Sequence, residues 1–143
     1  MNKRKILFIC HGNICRSPMA EFILKDEIHK RGLDDAFEVK SKALSYEEIG
    51  NDIYPRAKEC LLRHKIAFEK HYASHFEKSD YDYYDEIYIM DKENEYRIMK
   101  IVDDSKHKIK LLNGEIEDPW YSDHFDLVFE KIKEGIRKKI FNE

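Results

Sequence analysis

Apolar residues recur along this chain in two forms, short continuous runs and stripes at helical spacing. Ile6-Leu7-Phe8-Ile9 is a continuous run and predicts a strand from about Lys5 to Ile9, buried on both faces. A helix is expected from Pro18 to about Lys30, with Ala20, Ile23, Leu24 and Ile28 on one face. Ser17 would be its N-cap, Pro18 its first helical position and Glu21 part of its first turn, and Gly32 would end it. Phe37, Val39 and Ser41 alternate with Glu38 and Lys40, the mark of a half-exposed edge strand. A polar loop from Leu44 to Tyr54 carries Gly50, and Pro55 opens a second helix with Ala57, Leu61 and His64 on one face and Cys60 beside them. A loop through His71 and the acidic, tyrosine-rich stretch Asp80 to Glu86 leads to a third strand, Ile87 to Met90. Asp91 caps a helix expected to run to about Val102, and Ile109 to Leu112 forms a fourth strand. The last helix is expected to start near Ser122, with Phe125, Val128, Phe129, Ile132, Ile136 and Ile140 as its core stripe.

Regular alternation of strand and helix predicts an α/β fold with parallel strands and helices on both faces. The uniformly apolar first and third strands belong in the centre and the alternating second at an edge, giving the order 2-1-3-4 in one domain over residues 1–143. In that order the loop leaving the first strand lies at the topological switch point, where open α/β sheets bind ligands.

Composition narrows the partners. With 143 residues the chain can build a proper core, and a net charge of −3 argues against nucleic acid. No apolar run approaches the roughly 20 residues of a membrane span. Asn2-Lys3-Arg4-Lys5 precedes only four apolar residues, too short for a signal-peptide core, so a cytoplasmic location is expected, with non-classical export left open. Three cysteines suit a reducing compartment, and the seven histidines show no metal-ligand spacing, so neither metal nor cofactor is called for.

The candidate chemistry lies in Cys10-His11-Gly12-Asn13-Ile14-Cys15-Arg16-Ser17-Pro18, between the first strand and the first helix. Successive amides of a tight loop at a helix N-terminus cradle an anion, and Arg16 adds a planar fork that can hold two phosphate oxygens. The same positive field favours Cys10 as a thiolate. A thiolate nucleophile at the floor of an oxyanion cradle is suited to phosphoryl transfer. The run Cys-x-Gly-Asn-Ile-Cys-Arg-Ser-Pro-Met-Ala-Glu closely resembles the phosphate-binding loop of the low-molecular-weight protein tyrosine phosphatases, and the later motifs extend the resemblance over essentially the whole chain.

Asp118-Pro119-Trp120-Tyr121 follows the fourth strand and reaches the same edge of the sheet. Alone it reads as a turn before a helix. Coupled to the opening loop, Asp118 is placed to protonate a leaving oxygen, an effect of about 10²–10⁴-fold, with Trp120 and Tyr121 as aromatic walls. The resemblance supports this, because the family carries an Asp-Pro acid motif followed by aromatics at this place. It implies a two-step reaction with Cys10 as nucleophile, a phosphocysteine held by Arg16 and the loop amides from His11 to Arg16, and Asp118 as acid and then base. Ser17 can be a plain N-cap or a hydrogen-bond donor to the Cys10 sulfur.

Further expectations rest on the resemblance alone. It implies an unusual backbone conformation at Asn13, held by Ser17, Ser41 and His71, although His71 read by itself is a solvated loop histidine. Met90-Asp91-x-x-Asn94 also matches the family, most simply as a strand end and helix cap. Cys15 is either a small core residue or the partner of Cys10 in a reversible disulfide. Cys60 reads as packing. Glu47 stands where the eukaryotic relatives lead one to expect an aromatic wall, and Ala43-Leu44 replaces a glycine-containing turn, so one pocket wall is more polar. Tyr83 and Tyr84 are phosphorylation candidates by composition only. The expected partner is a phosphotyrosine protein or peptide, acted on by a monomer or weak dimer. Two alternatives stand beside this. Arginine phosphatases resemble the family but carry Thr where Ile14 stands here. A silent phosphotyrosine-binding module would have no use for Cys10 or Asp118. Arsenate reduction is disfavoured because no cysteine follows Cys60.

Overall fold

The computed structural model describes residues 2–143. Its core is a four-stranded parallel sheet of β1 (Arg4–Cys10), β2 (Phe37–Ala43), β3 (Glu86–Ile89) and β4 (Ile109–Leu111), in the order β2-β1-β3-β4. The expected strand order therefore holds. It does so for the expected reason: β1, with Ile6 to Ile9 fully buried, is flanked on both sides, while β2 alternates at the edge.

Helices cover both faces. One face of β1, through Ile6 and Phe8, packs with α1 (Arg16–Lys30), α2 (Pro55–Arg63) and α6 (Phe125–Lys139). The other face, through Leu7 and Ile9, packs with α3 (Lys78–Tyr83) and α4 (Lys92–Ile98). The stripe Phe125, Val128, Phe129, Ile132, Ile136 and Ile140 is buried as its spacing requires. Gly135 lets α6 approach closely, since a Cβ there would lie 2.7 Å from the carbonyl oxygen of Leu112. At the end of α1, Gly32 takes φ +67° while Leu33 N donates to Ile28 O and Gly32 N to His29 O, a Schellman termination.

Several boundaries differ from the expectation, each for a local physical reason. The α1 helix starts at Arg16 with Cys15 at the N-cap position and no side-chain cap, so Ser17 is not the cap and Pro18 is not the first residue. The Ser17 hydroxyl is engaged elsewhere, as described below. Within the acidic stretch, α3 forms a helix that hydrophobic periodicity does not reveal. A reciprocal box starts it, in which Glu77 and Asp80 each bond the other's backbone, and Tyr81 is buried beneath it. Tyr84 is also buried, whereas Tyr83 is exposed and donates to Glu38. Asp91 does cap α4, accepting from Asn94 N at 2.7 Å, but regular helix stops at Ile98. The last helix starts at Phe125, because a short turn of helix, α5 (Pro119–Ser122), is cut off from it by Asp123 in the left-handed conformation at φ 65°.

Candidate active site

Parallel pairing with β2 and β3 holds β1 rigid up to Cys10, and α1 begins six residues later. The intervening loop is therefore pinned at both ends. Cys10, His11, Gly12, Ile14, Cys15 and Arg16 form the floor of a cleft, with Glu47 and Glu48 on one wall and Asp118, Trp120 and Tyr121 on the other. The amides of Gly12, Ile14 and Cys15 donate to no protein acceptor among the described residues, which leaves them available to an anion.

Asn13 and Ser17 lie behind this floor, not on the cleft wall, and both are fully buried. Asn13 has φ 60°, a left-handed conformation that Asn tolerates better than most side chains. Its Nδ2 donates to Ser17 Oγ at 2.8 Å and to Ser41 Oγ at 3.0 Å, and its Oδ1 accepts from Ser74 N at 3.2 Å. His71 Nε2 lies 2.7 Å from the Asn13 carbonyl, which can only accept, so His71 donates there. The turned backbone delivers the Asn13 amide to Cys10 Sγ at 3.2 Å. Ser17 Oγ lies 3.0 Å from the same sulfur. Because Ser17 Oγ already accepts from Asn13, its own hydrogen is free to point at the sulfur.

This network extends to Glu21, which lies in the second turn of α1 and not the first, because the helix already starts at Arg16. Glu21 is buried, and its carboxylate accepts from Ser41 Oγ at 2.7 Å and from Lys25 Nζ at 2.6 Å. With the Ser41 hydrogen committed to Glu21, Ser41 Oγ accepts from Asn13, and this fixes which way round the Asn13 amide sits. Asp91 likewise does more than cap α4. Its Oδ2 accepts from Arg16 Nη1 at 2.7 Å, and the same nitrogen donates to Ile116 O at 2.8 Å. The Arg16 side chain is only 3% exposed, and Nε and Nη2 make no hydrogen bond among the described residues, although Nη2 lies 3.6 Å from Asp118 Oδ2. Burial opposes the charge on Arg16, but Cys10, Asp91 and Asp118 outweigh it and its pKa is raised. Asp118 caps α5, its Oδ1 accepting from Trp120 N at 3.0 Å, so one oxygen is held and the other faces Arg16.

The arrangement offers a sulfur nucleophile with two hydrogen-bond donors, an open nest of amides, a prepositioned guanidinium and a carboxyl group at one cleft. Over residues 5–142 the sequence matches the family described as Low molecular weight phosphotyrosine protein phosphatase. The chain belongs to that family. It is 35% identical over 139 residues to the low molecular weight protein-tyrosine-phosphatase YfkJ of Bacillus subtilis, covering 91% of this chain and 89% of the relative. Against the Homo sapiens low molecular weight phosphotyrosine protein phosphatase it is 35% identical over 133 residues, covering 86% and 84%. The crystal structure of YfkJ superposes with a TM-score of 0.94 at 31% identity, over 99% of this chain and 95% of that one. The Streptococcus pyogenes low molecular weight protein tyrosine phosphatase superposes with a TM-score of 0.86 at 30% identity, over 97% and 92%.

The remaining candidate positions of this phosphatase-family chain fall in two groups. Trp120 and Tyr121 stand exposed at the mouth, and the Tyr54 ring packs 4.5 Å from Trp120, backing that wall. Tyr54 also donates its amide to Ile14 O at 2.9 Å, a contact between distant residues that no local pattern announces. Cys15 is buried at the N-cap position of α1, and burial together with the charges of Cys10 and Asp118 pushes its thiol far up. Cys60 is fully buried between α2 and α6, away from the cleft.

Proposed function

We propose that this chain hydrolyses phosphotyrosine in proteins or peptides, and small aryl phosphates, through a phosphocysteine at Cys10. The observation that carries this is the Cys10 sulfur, which receives the Asn13 amide and faces the Ser17 hydroxyl beneath the open loop amides, with Arg16 and Asp118 beside it. In the first step the Cys10 sulfur attacks phosphorus. The bond to the phenolic oxygen breaks, and that oxygen takes the bond's electron pair and a proton from Asp118. The transferring group is held by the open loop amides, those of Gly12, Ile14 and Cys15 among them, and by Arg16 Nε and Nη2, while the Asn13 amide stays on the sulfur. In the second step Asp118, now ionised, takes a proton from water as the water oxygen attacks phosphorus. The sulfur–phosphorus bond breaks, phosphate leaves, and the sulfur departs as a thiolate, eased by the Ser17 hydroxyl and the Asn13 amide.

Ile14 lines the cleft, an apolar contact for an aromatic ring and a poor one for a charged guanidinium. The site is complete within one chain, which supports action as a monomer or weak dimer. Reliance on a free thiolate supports a reducing, cytoplasmic setting. The test is a side-by-side assay of phosphotyrosine and phosphoarginine peptides with the parent, Cys10→Ser and Asp118→Ala. We expect phosphotyrosine turnover that is abolished in Cys10→Ser and falls about 10²–10⁴-fold in Asp118→Ala. Preference for phosphoarginine would overturn the substrate and keep the mechanism. Tight phosphotyrosine binding by the parent without turnover would leave a binding module.

A further inference from the structure

The cleft is electrically polarised from floor to mouth. At its floor stand Arg16 and the open loop amides, and at its mouth stand two carboxylates with no strong cation beside them. Glu47 is 72% exposed along its side chain, and its only partner among the described residues is His11 Nε2 at 3.4 Å. Glu48 accepts from Asn51 Nδ2 at 2.7 Å, a neutral amide, and its stem passes over Gly12, where an added Cβ would lie 3.5 Å from Glu48 Cγ. No lysine lines the cleft, and its one arginine, Arg16, is bound to Asp91 at the floor. Asp118 on the opposite wall adds a third carboxylate, committed to proton transfer in the reading above.

A phosphotyrosine entering this cleft puts its dianion on the floor and its main chain at the mouth, so the residues on either side meet Glu47 and Glu48. We propose that the Glu47–Glu48 pair makes this chain select phosphotyrosines flanked by lysine or arginine and reject those flanked by aspartate or glutamate. The proposal rests on the phosphotyrosine reading and adds the chemistry of the surrounding substrate. An acidic rim gains nothing from the phosphate itself. Attraction for basic flanks and repulsion of acidic flanks act in the same direction and add in the discrimination. Glu47 is exposed and Glu48 half-buried, and both face the solvent-filled cleft, so the selection is screened by salt.

The test uses two phosphotyrosine peptides identical except for Lys or Glu on both sides of the phosphotyrosine. At about 20 mM salt the parent should favour the basic peptide roughly five- to thirty-fold in kcat/KM, and the preference should fall towards unity near about 500 mM. Glu47→Gln with Glu48→Gln should compress the preference to within about twofold, and Glu47→Lys with Glu48→Lys should invert it. Equal turnover of the two peptides by the parent at low salt would overturn the proposal. So would a preference that survives unchanged in the Gln pair. Failure of the underlying reading looks different: neither peptide is turned over, while a phosphoarginine peptide is.

Discussion

Replacing Asn13 by alanine should unsettle both the fold and the reaction, by amounts that follow from its contacts. The side chain makes three hydrogen bonds in a fully buried setting, to Ser17, to Ser41 and from Ser74 N. Each such bond contributes about 0.5–1.5 kcal/mol net, and a buried partner left without one costs about 1–3 kcal/mol. The residue also sits at φ 60°, where alanine carries a penalty of roughly 1–2 kcal/mol that asparagine largely avoids. The expected loss is about 3–5 kcal/mol of unfolding free energy, a large part of the ~5–15 kcal/mol typical of a domain. Asn13→Gly removes the same bonds but relieves the backbone, so it should be less destabilised than Asn13→Ala by about 1 kcal/mol. Both should lower kcat by roughly 10²–10³-fold, the effect of losing one preorganised donor in other enzymes, because the Asn13 amide and the Ser17 hydroxyl are no longer held on the Cys10 sulfur. Urea unfolding followed by circular dichroism, with turnover of a chromogenic aryl phosphate, measures both effects. A loss below about 1 kcal/mol for alanine, or a glycine variant less stable than the alanine one, would refute the reasoning.

Other consequences can be checked more briefly. Iodoacetate at neutral pH should alkylate Cys10 alone, since burial pushes Cys60 up to about 12 and holds Cys15 higher still; peptide mapping that finds either of them labelled in the folded protein would contradict this. Gly135→Ala should lower stability by about 1–2 kcal/mol despite the better helix propensity of alanine, because its Cβ would meet the Leu112 carbonyl oxygen at 2.7 Å; unchanged or raised stability in urea would show that the contact relaxes. Burial works against ionisation of Asp52, but hydrogen bonds from Lys58 and from the amides of His71 and Ile53 outweigh it and hold its carboxyl at about 2. A carboxyl depressed in the folded state stabilises above its unfolded value near 4 and loses that contribution as pH falls towards 2. Asp52→Asn should therefore flatten the acid limb of stability between about pH 4 and 2; an unchanged acid limb would remove Asp52 from this role.

Much of the architecture could be read from the chain because it rests on local rules. Ile6 to Ile9 could only be a central strand, and the stripe from Phe125 to Ile140 could only be a buried helix face. What escaped reading depends on contacts between distant residues. For Ser17 the residues alone left two roles open, cap or donor to the Cys10 sulfur, and the structure takes the second, its hydroxyl engaged by Asn13 and facing that sulfur. Glu21 looked like a first-turn carboxylate because nothing in its neighbourhood announces Ser41, twenty residues on. Asp91 was legible as a cap, whereas its hold on Arg16 spans the sheet. The α3 helix was missed because its start is a polar exchange between Glu77 and Asp80, and hydrophobic periodicity carries no trace of that.

The central claim is that the phosphoryl group passes through Cys10. It is tested most directly by acid-quenching the enzyme during turnover of an aryl phosphate and mapping the phosphoryl group by mass spectrometry. Asp118→Ala is the protein to use, since a good leaving group needs little protonation in the first step while hydrolysis in the second loses its base. The account predicts a phosphoryl group on the peptide containing Cys10, and none in Cys10→Ser. Turnover retained by Cys10→Ser, or a phosphoryl group trapped on another residue, would contradict it.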